Sequence, residues 1–132
     1  MNTVAPSRQT KYCQAIETIL AGRGHATNAE LLRELRESFP GLSATTVHRA
    51  TARLAGRGQI ALAPPAPDGS LRYDHVTKPH DHFMCSACGA LRDTDVMHDI
   101  TPLLEARIGN CRISGRLTIM GTCQQCMKGE LA

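Results

Sequence analysis

His80-Asp81-His82-Phe83-Met84-Cys85-Ser86-Ala87-Cys88-Gly89 joins a His-x-His pair to a Cys-x-x-Cys pair. A second Cys-x-x-Cys, Cys123-Gln124-Gln125-Cys126, lies near the end of the 132-residue chain. Each such knuckle places two sulfurs on one side of an ion, so two knuckles make a closed tetrahedral zinc site. The 34 residues between Cys88 and Cys123 exceed the span of a compact zinc ribbon. A domain must therefore fold back to bring the pairs together. In an extended strand, residues i and i+2 point the same way. His80 and His82 can thus face one metal while Cys85 and Cys88 face another. Asp74 and Asp93 flank the stretch as candidate carboxylate ligands.

Composition narrows the class. The chain has no Trp, two Phe and two Tyr, which leaves a mostly aliphatic core. In a chain this short, a structural metal and an oligomer interface are expected supports. Six cysteines without an apolar N-terminal run do not suggest secretion, and no stretch reaches the length of a membrane helix. Cysteine pairs in a cytoplasmic chain, the location expected here, read as metal ligands rather than disulfides. Charge is uneven. Residues 1–64 carry eight Lys/Arg against four Asp/Glu, or +4, and residues 65–132 carry seven against eight, or −1. A basic first half suits a polyanion.

Outward from the metal motifs, residues 8–21 read as a helix with Tyr12, Ile16, Ile19 and Leu20 at helical spacing, ended by Gly22 and Gly24. Thr27-x-x-Glu30 is a capping box that opens a second helix, stopped by Pro40-Gly41. Ser43 caps a third, with Val47, Ala50 and Leu54 inward and Thr45, Thr46, His48, Arg49 and Arg53 outward. Two helices joined by a short turn, the second bearing arginines, describe a helix-turn-helix. Residues 59–63 and 70–76 read as strands of a hairpin around a Pro-rich turn, which makes the motif a winged helix. Arg72 divides evenly between a phosphate contact and plain solvation. Residues 76–79 read as a hinge.

In the second half, residues 91–93 continue a strand, and Ile100, Leu103, Leu104 and Ile108 give a helix with Pro102 in its first turn. The alternation from Cys111 to Ile119 predicts a strand, with Cys111 as a core thiol; Cys13 on the first helix gets the same reading. His98 reads as solvated, and His75 as facing away from Asp74. The fold class expected is α+β: a winged-helix DNA-binding domain over residues 1–77, then a small α/β dimerisation domain over residues 78–132 with the four-cysteine zinc site.

Thr-Val-His-Arg on the third helix, then Arg72-Tyr73-Asp74, then His-x-His-x-x-Cys-x-x-Cys-Gly, then Gly121-x-Cys-x-x-Cys, resembles the ferric uptake regulator family of metal-dependent repressors. The resemblance runs from about Arg8 to Cys126. It implies a homodimer that binds double-stranded operator DNA, with no membrane and no small-molecule substrate. It also implies structural Zn(2+) on Cys85, Cys88, Cys123 and Cys126. A regulatory Fe(2+) or Mn(2+) is implied on His25, Asp74, His80, His82 and Asp93. The expected DNA contacts are Thr45, Thr46, His48, Arg49 and Arg53, with Lys11 and Arg8 on phosphates. His48 stands where the family usually has Tyr, and Ser114 and Gly115 stand where an accessory-site His is expected. Asp at both 74 and 93, and the spacing from Asp74 to His80, resemble the peroxide-sensing branch, in which bound Fe(II) oxidises a ligand histidine. His25 and His80 would then be the oxidised residues. The alternative is an iron- or manganese-responsive repressor of metal uptake, indifferent to peroxide. A zinc hydrolase or deaminase is disfavoured: four thiolates close the zinc, no Glu base stands near the His pair, and the deaminase H-x-E…P-C-x-x-C pattern is absent.

Overall fold

The computed structural model describes residues 8–130 of the chain. It divides into two compact units, Met1–Thr77 and Lys78–Ala132.

The first unit is helical with a small sheet. Helix α1 spans Arg8–Arg23 and carries Gly22 within it. Gly24 ends it at φ +87, a conformation glycine adopts without strain, and its N–H donates to the Leu20 carbonyl at 2.7 Å. Helix α2 spans Asn28–Ser38 and opens on the Thr27/Glu30 capping box, with both reciprocal hydrogen bonds made. Helix α3 spans Ala44–Gly56, and Ser43 caps it by accepting the Thr46 N–H at 3.2 Å. Ile16, Leu20, Leu31, Val47, Ala50, Leu54 and Tyr73 meet in one core. Truncating any of its large aliphatics to Ala would cost about 2–5 kcal/mol. Cys13 is part of this core, as read from the sequence, and burial pushes its thiol up.

Three short strands complete the unit: β1 (His25–Thr27), β2 (Ala61–Ala63) and β3 (Arg72–Asp74), in the order β1-β3-β2 and antiparallel throughout. The hairpin is shorter than its sequence pattern, and β1 is an element the pattern does not announce. Arg72 corrects both of its readings. It is only 6% exposed, and its guanidinium reaches the Pro65 carbonyl at 3.4 Å. The guanidinium is turned into the hairpin, where it meets the Pro-rich turn, and its charge also reaches Glu30 of α2.

The second unit is a three-stranded sheet with two helices. Strands β4 (Asp81–Cys85), β5 (Leu91–Thr94) and β6 (Thr118–Gly121) lie in the order β5-β4-β6. β5 is antiparallel to β4 and β6 is parallel to it. Helix α4 (Met97–Ile108) begins three residues before the apolar stripe, so Pro102 falls in its second turn and not its first. Helix α5 spans Gln124–Glu130. No helix among the described residues is long and apolar enough to cross a membrane.

The strand predicted from Cys111 to Ile119 is corrected here. Only Thr118–Gly121 joins the sheet, because β4 offers partners from His82↔Thr118 to Cys85↔Gly121. Ahead of it, the Ile113 N–H donates to the Glu105 carboxylate and the Leu117 N–H to Asp81. Side-chain carboxylates take the place of a strand partner. Cys111 is accordingly exposed, not a core thiol.

Candidate metal centres and the exposed face of the third helix

Parallel pairing of β4 with β6 closes the 34-residue gap. It sets Cys85 beside Gly121, and the Ser86 N–H and hydroxyl both donate to the Gly121 carbonyl, at 2.8 and 3.1 Å. The second knuckle then runs on to the first. A Cβ on Gly121 would stand 3.1 Å from the Phe83 ring, so the close approach favours glycine. Cys85, Cys88, Cys123 and Cys126 bring their sulfurs within 4.8 Å of one another. Cys88 and Cys123 Sγ are 3.8 Å apart. A tetrahedron with metal–sulfur bonds near 2.3 Å has edges of about 3.8 Å, so the spacing fits a zinc ion and is far too long for a disulfide.

The electrostatics of the four sulfurs fit the same ion. Backbone N–H groups of Cys123 and Cys88 point at Cys85 Sγ, at 3.3 and 3.5 Å, and lower its thiol to about 6. The sulfurs of Cys123, Cys85 and Cys88 push Cys126 up to about 12. Four sulfurs this close resist collecting negative charge, and a divalent cation removes that resistance.

A second group lies on the other side of β4. Across the β4–β5 ladder His82 faces Asp93. Asp93 Oδ1 is 3.3 Å from His82 Nε2 and 3.0 Å from His80 Nε2. The two rings stack at 4.4 Å between centroids, tilted by 52°. His80 Nδ1 sits 2.8 Å from the Lys78 carbonyl. That contact needs a proton on Nδ1; a neutral ring then keeps its lone pair on Nε2, the tautomer a metal ligand requires, and the 3.0 Å approach of Nε2 to the Asp93 oxygen is favourable only with a cation between them. Two imidazoles and one carboxylate thus converge without sulfur, from two adjacent strands.

Asp81, between the two histidines, is a residue the sequence reading passed over. It is fully buried. Its carboxylate accepts the Val96, Met97 and Leu117 N–H groups at 3.0, 2.9 and 3.0 Å. Burial alone would raise this carboxyl; the three donors, with Arg116 nearby, outweigh it and leave it below the usual range. The strand alternation that sends His80 and His82 one way sends Asp81 the other, where it anchors the start of α4. An acid flanked by two histidines at i±1 is the signal that could have exposed it.

In the first unit, β1 sets His25 directly across from Asp74. His25 Nε2 lies 3.4 Å from Asp74 Oδ2, and Asp74 Oδ1 accepts the Val76 N–H at 2.8 Å. The missed strand is therefore what pairs these two expected ligands. His98 is exposed, as the sequence suggested, and so is His75.

On α3, Thr45, His48, Arg49 and Arg53 are exposed and Thr46 is half-buried. Val47, Ala50, Thr51 and Leu54 hold the opposite face in the core. Lys11 of α1 shares a cleft with Ser43 and Thr46 at the start of α3. The Arg8 side chain lies outside the described residues. Asn28 of α2 contacts His48, Nδ2 to Nδ1, at 3.3 Å, a pairing no local motif announces.

Comparison with known proteins agrees with this arrangement. The sequence model of the ferric uptake regulator family matches residues 6–110. The peroxide operon regulator of Bacillus subtilis is 30% identical over 117 residues, covering 87% of this chain and 80% of that protein. In fold, the chain is similar to the Helicobacter pylori ferric uptake regulator Fur, described as having three functional metal-binding sites. There the TM-score is 0.73 at 18% identity, over 94% of this chain and 83% of that one. It is also similar to the Campylobacter jejuni peroxide stress regulator, with TM-score 0.68 at 22% identity, over 90% and 91% of the two chains. Such proteins are transcriptional regulators, not enzymes, and this chain belongs to the ferric uptake regulator family of metal-responsive repressors.

Proposed function

We propose that this repressor is a DNA-binding homodimer that senses hydrogen peroxide through oxidation of a ligand histidine. The observation that carries the reading is the approach of His80 Nε2 and His82 Nε2 to one Asp93 oxygen, at 3.0 and 3.3 Å. Two histidines and a carboxylate with open positions suit Fe(II), and the absence of sulfur disfavours Cu(I). His25 and Asp74 complete a five-residue donor set in this proposal. Fe(II) held there would activate peroxide, and His25 and His80 would be the rings that take up oxygen: each peroxide would deliver one oxygen atom to a ring C–H, the ring losing two electrons, and its other oxygen would leave as water. Zinc on the four cysteines keeps those sulfurs coordinated and out of the reaction. The relation to the Bacillus subtilis peroxide operon regulator supports the same signal.

Ligands from both units would couple metal occupancy to the presentation of α3, a coupling worth about 1–3 kcal/mol in typical cases. Thr45, Thr46, His48, Arg49 and Arg53 face the DNA, with Lys11 and Arg8 on phosphates. A second copy of the chain covers the second unit, where Leu103, Ile108 and Met120 are at least 60% exposed and β6 is an edge strand.

The test is binding to a duplex enriched from a randomised pool by the metal-loaded protein. Fe(II)-loaded protein, kept from oxygen, binds and is released by one equivalent of peroxide; Mn(II)-loaded protein binds and is not released. Peroxide-insensitive binding with both metals would leave the plain iron- or manganese-responsive repressor. Binding that ignores metal altogether would remove the reading.

A further inference from the structure

His48 is exposed on α3, yet its ring is not left to rotate at will. Asn28 Nδ2 lies 3.3 Å from His48 Nδ1, and of the three acceptors around the Thr51 hydroxyl Asn28 Oδ1 is the nearest, at 2.9 Å against 3.1 and 3.2 Å for the His48 and Val47 carbonyls. Thr51 is fully buried, three residues along α3 from His48. Asn28 is the first residue of α2, directly after the Thr27 cap whose two reciprocal bonds fix the local backbone. The amide is thus held at its oxygen by one residue of α3 and offers its N–H to another. A neutral imidazole that accepts at Nδ1 carries its proton on Nε2.

We infer that Thr51 and Asn28 set the tautomer of His48, so that this side chain offers DNA a donor, Nε2–H, and no acceptor, which selects an acceptor edge such as the N7 of a purine. The inference rests on the reading of α3 as the DNA-facing helix. In the major groove both purines present an N7 acceptor and thymine an O4 acceptor, whereas the cytosine amino group is itself a donor and repels an N–H. Asn28 touches no base in this account; it is a positioning residue that acts through His48. Phosphate contacts from Lys11 and the arginines do not depend on it. Losing Asn28 therefore relaxes selection and leaves the sequence-independent, salt-dependent part of binding in place.

The experiment scans 7-deazapurines, and thymine analogues lacking O4, through the duplex enriched by the wild-type, metal-loaded protein. One position in each half-site should be sensitive, with affinity falling about three- to tenfold there, the worth of one hydrogen bond. In Asn28→Ala that position becomes insensitive, while binding to random-sequence duplex and the salt slope are unchanged. Thr51→Val, read the same way, gives the same relaxation, and thermal unfolding of each variant reports whether the fold is intact. In a His48→Ala background, Asn28→Ala costs no further affinity. An equal cost of Asn28→Ala with and without His48 would overturn the inference, because Asn28 would then merely pack α2 on α3. So would a wild-type scan in which no 7-deazapurine and no thymine lacking O4 loses affinity. If the duplex binds but Arg49→Ala changes nothing, the DNA-facing reading itself fails, and the inference with it.

Discussion

Replacing Asp81 by alanine removes one side chain from three elements at once. Its buried carboxylate takes N–H groups from Val96 and Met97, at the start of α4, and from Leu117, just ahead of β6. The first N–H groups of a helix have no partner within it, and Val96 provides no side-chain cap, so Asp81 serves as the missing cap from a neighbouring strand. Hydrogen bonds to a charged acceptor contribute about 1.5–3 kcal/mol each. Three of them give an upper bound of about 4–9 kcal/mol, and water reaching the truncated site recovers part of it. The expected loss is about 3–5 kcal/mol for Asp81→Ala. Asp81→Asn keeps the shape and one acceptor oxygen but turns an N–H toward a donor, for a loss of about 2–3 kcal/mol. With a urea slope of about 1–3 kcal/mol per molar, the alanine midpoint should fall by about 2 M. Far-UV circular dichroism is the natural probe, since the chain has no Trp. Zinc and protein concentration are held fixed, because ligand and partner both stabilise the native state. A midpoint within about 0.3 M of the parent would refute the anchoring role.

Other expectations follow from the same geometry. Arg49→Ala should weaken operator binding and lower the salt slope by about 1 if the contact is to phosphate, or relax one base preference if it is to a base edge; titration against salt separates the two. Arg72→Ala should lower the thermal midpoint by releasing the Pro65 carbonyl, with the salt slope of DNA binding unchanged; a reduced slope would mean the cation reaches phosphate after all. Glu30 is raised by burial but lowered further by the Thr27 bonds and Arg23, so its net value lies below the usual range. Its stabilisation is therefore complete above about pH 4.3 and lost as pH falls through the folded value. Glu30→Gln should be the less stable protein near neutrality and match the parent in acid, as followed by thermal melts across pH. Cys126→Ser should release zinc to a chromophoric chelator at concentrations where the parent retains it.

The features legible in the sequence were those fixed by local chemistry. The Thr27/Glu30 box and the Ser43 cap were readable because N-capping is decided within four residues. The four cysteines were readable because knuckle spacing is itself the constraint. β1 was not, since three residues, His25-Ala26-Thr27, carry no period and adopt strand geometry only because β3 pairs with them. Cys111 misled for the opposite reason: residues 111–119 alternate cleanly, but alternation makes a strand only where a ladder partner exists, and β4 reaches just the last part. Asp81 and the Asn28–His48 contact depend on partners 15 to 36 residues and 20 residues away. Distances of that kind leave no periodic pattern, and the one local hint was the place of Asp81 between His80 and His82, on the opposite face of the strand.

On the proposed function, peroxide is read through a ligand histidine. Tryptic residues 24–33 contain His25 and neither Met nor Cys, so an added oxygen there has one address. The protein is loaded with Fe(II) without oxygen, treated with one equivalent of peroxide and mapped by peptide mass, with Mn(II)-loaded protein alongside. One added oxygen is expected on this peptide with Fe(II) and none with Mn(II). An unmodified peptide, in protein whose DNA binding still requires metal, would contradict it.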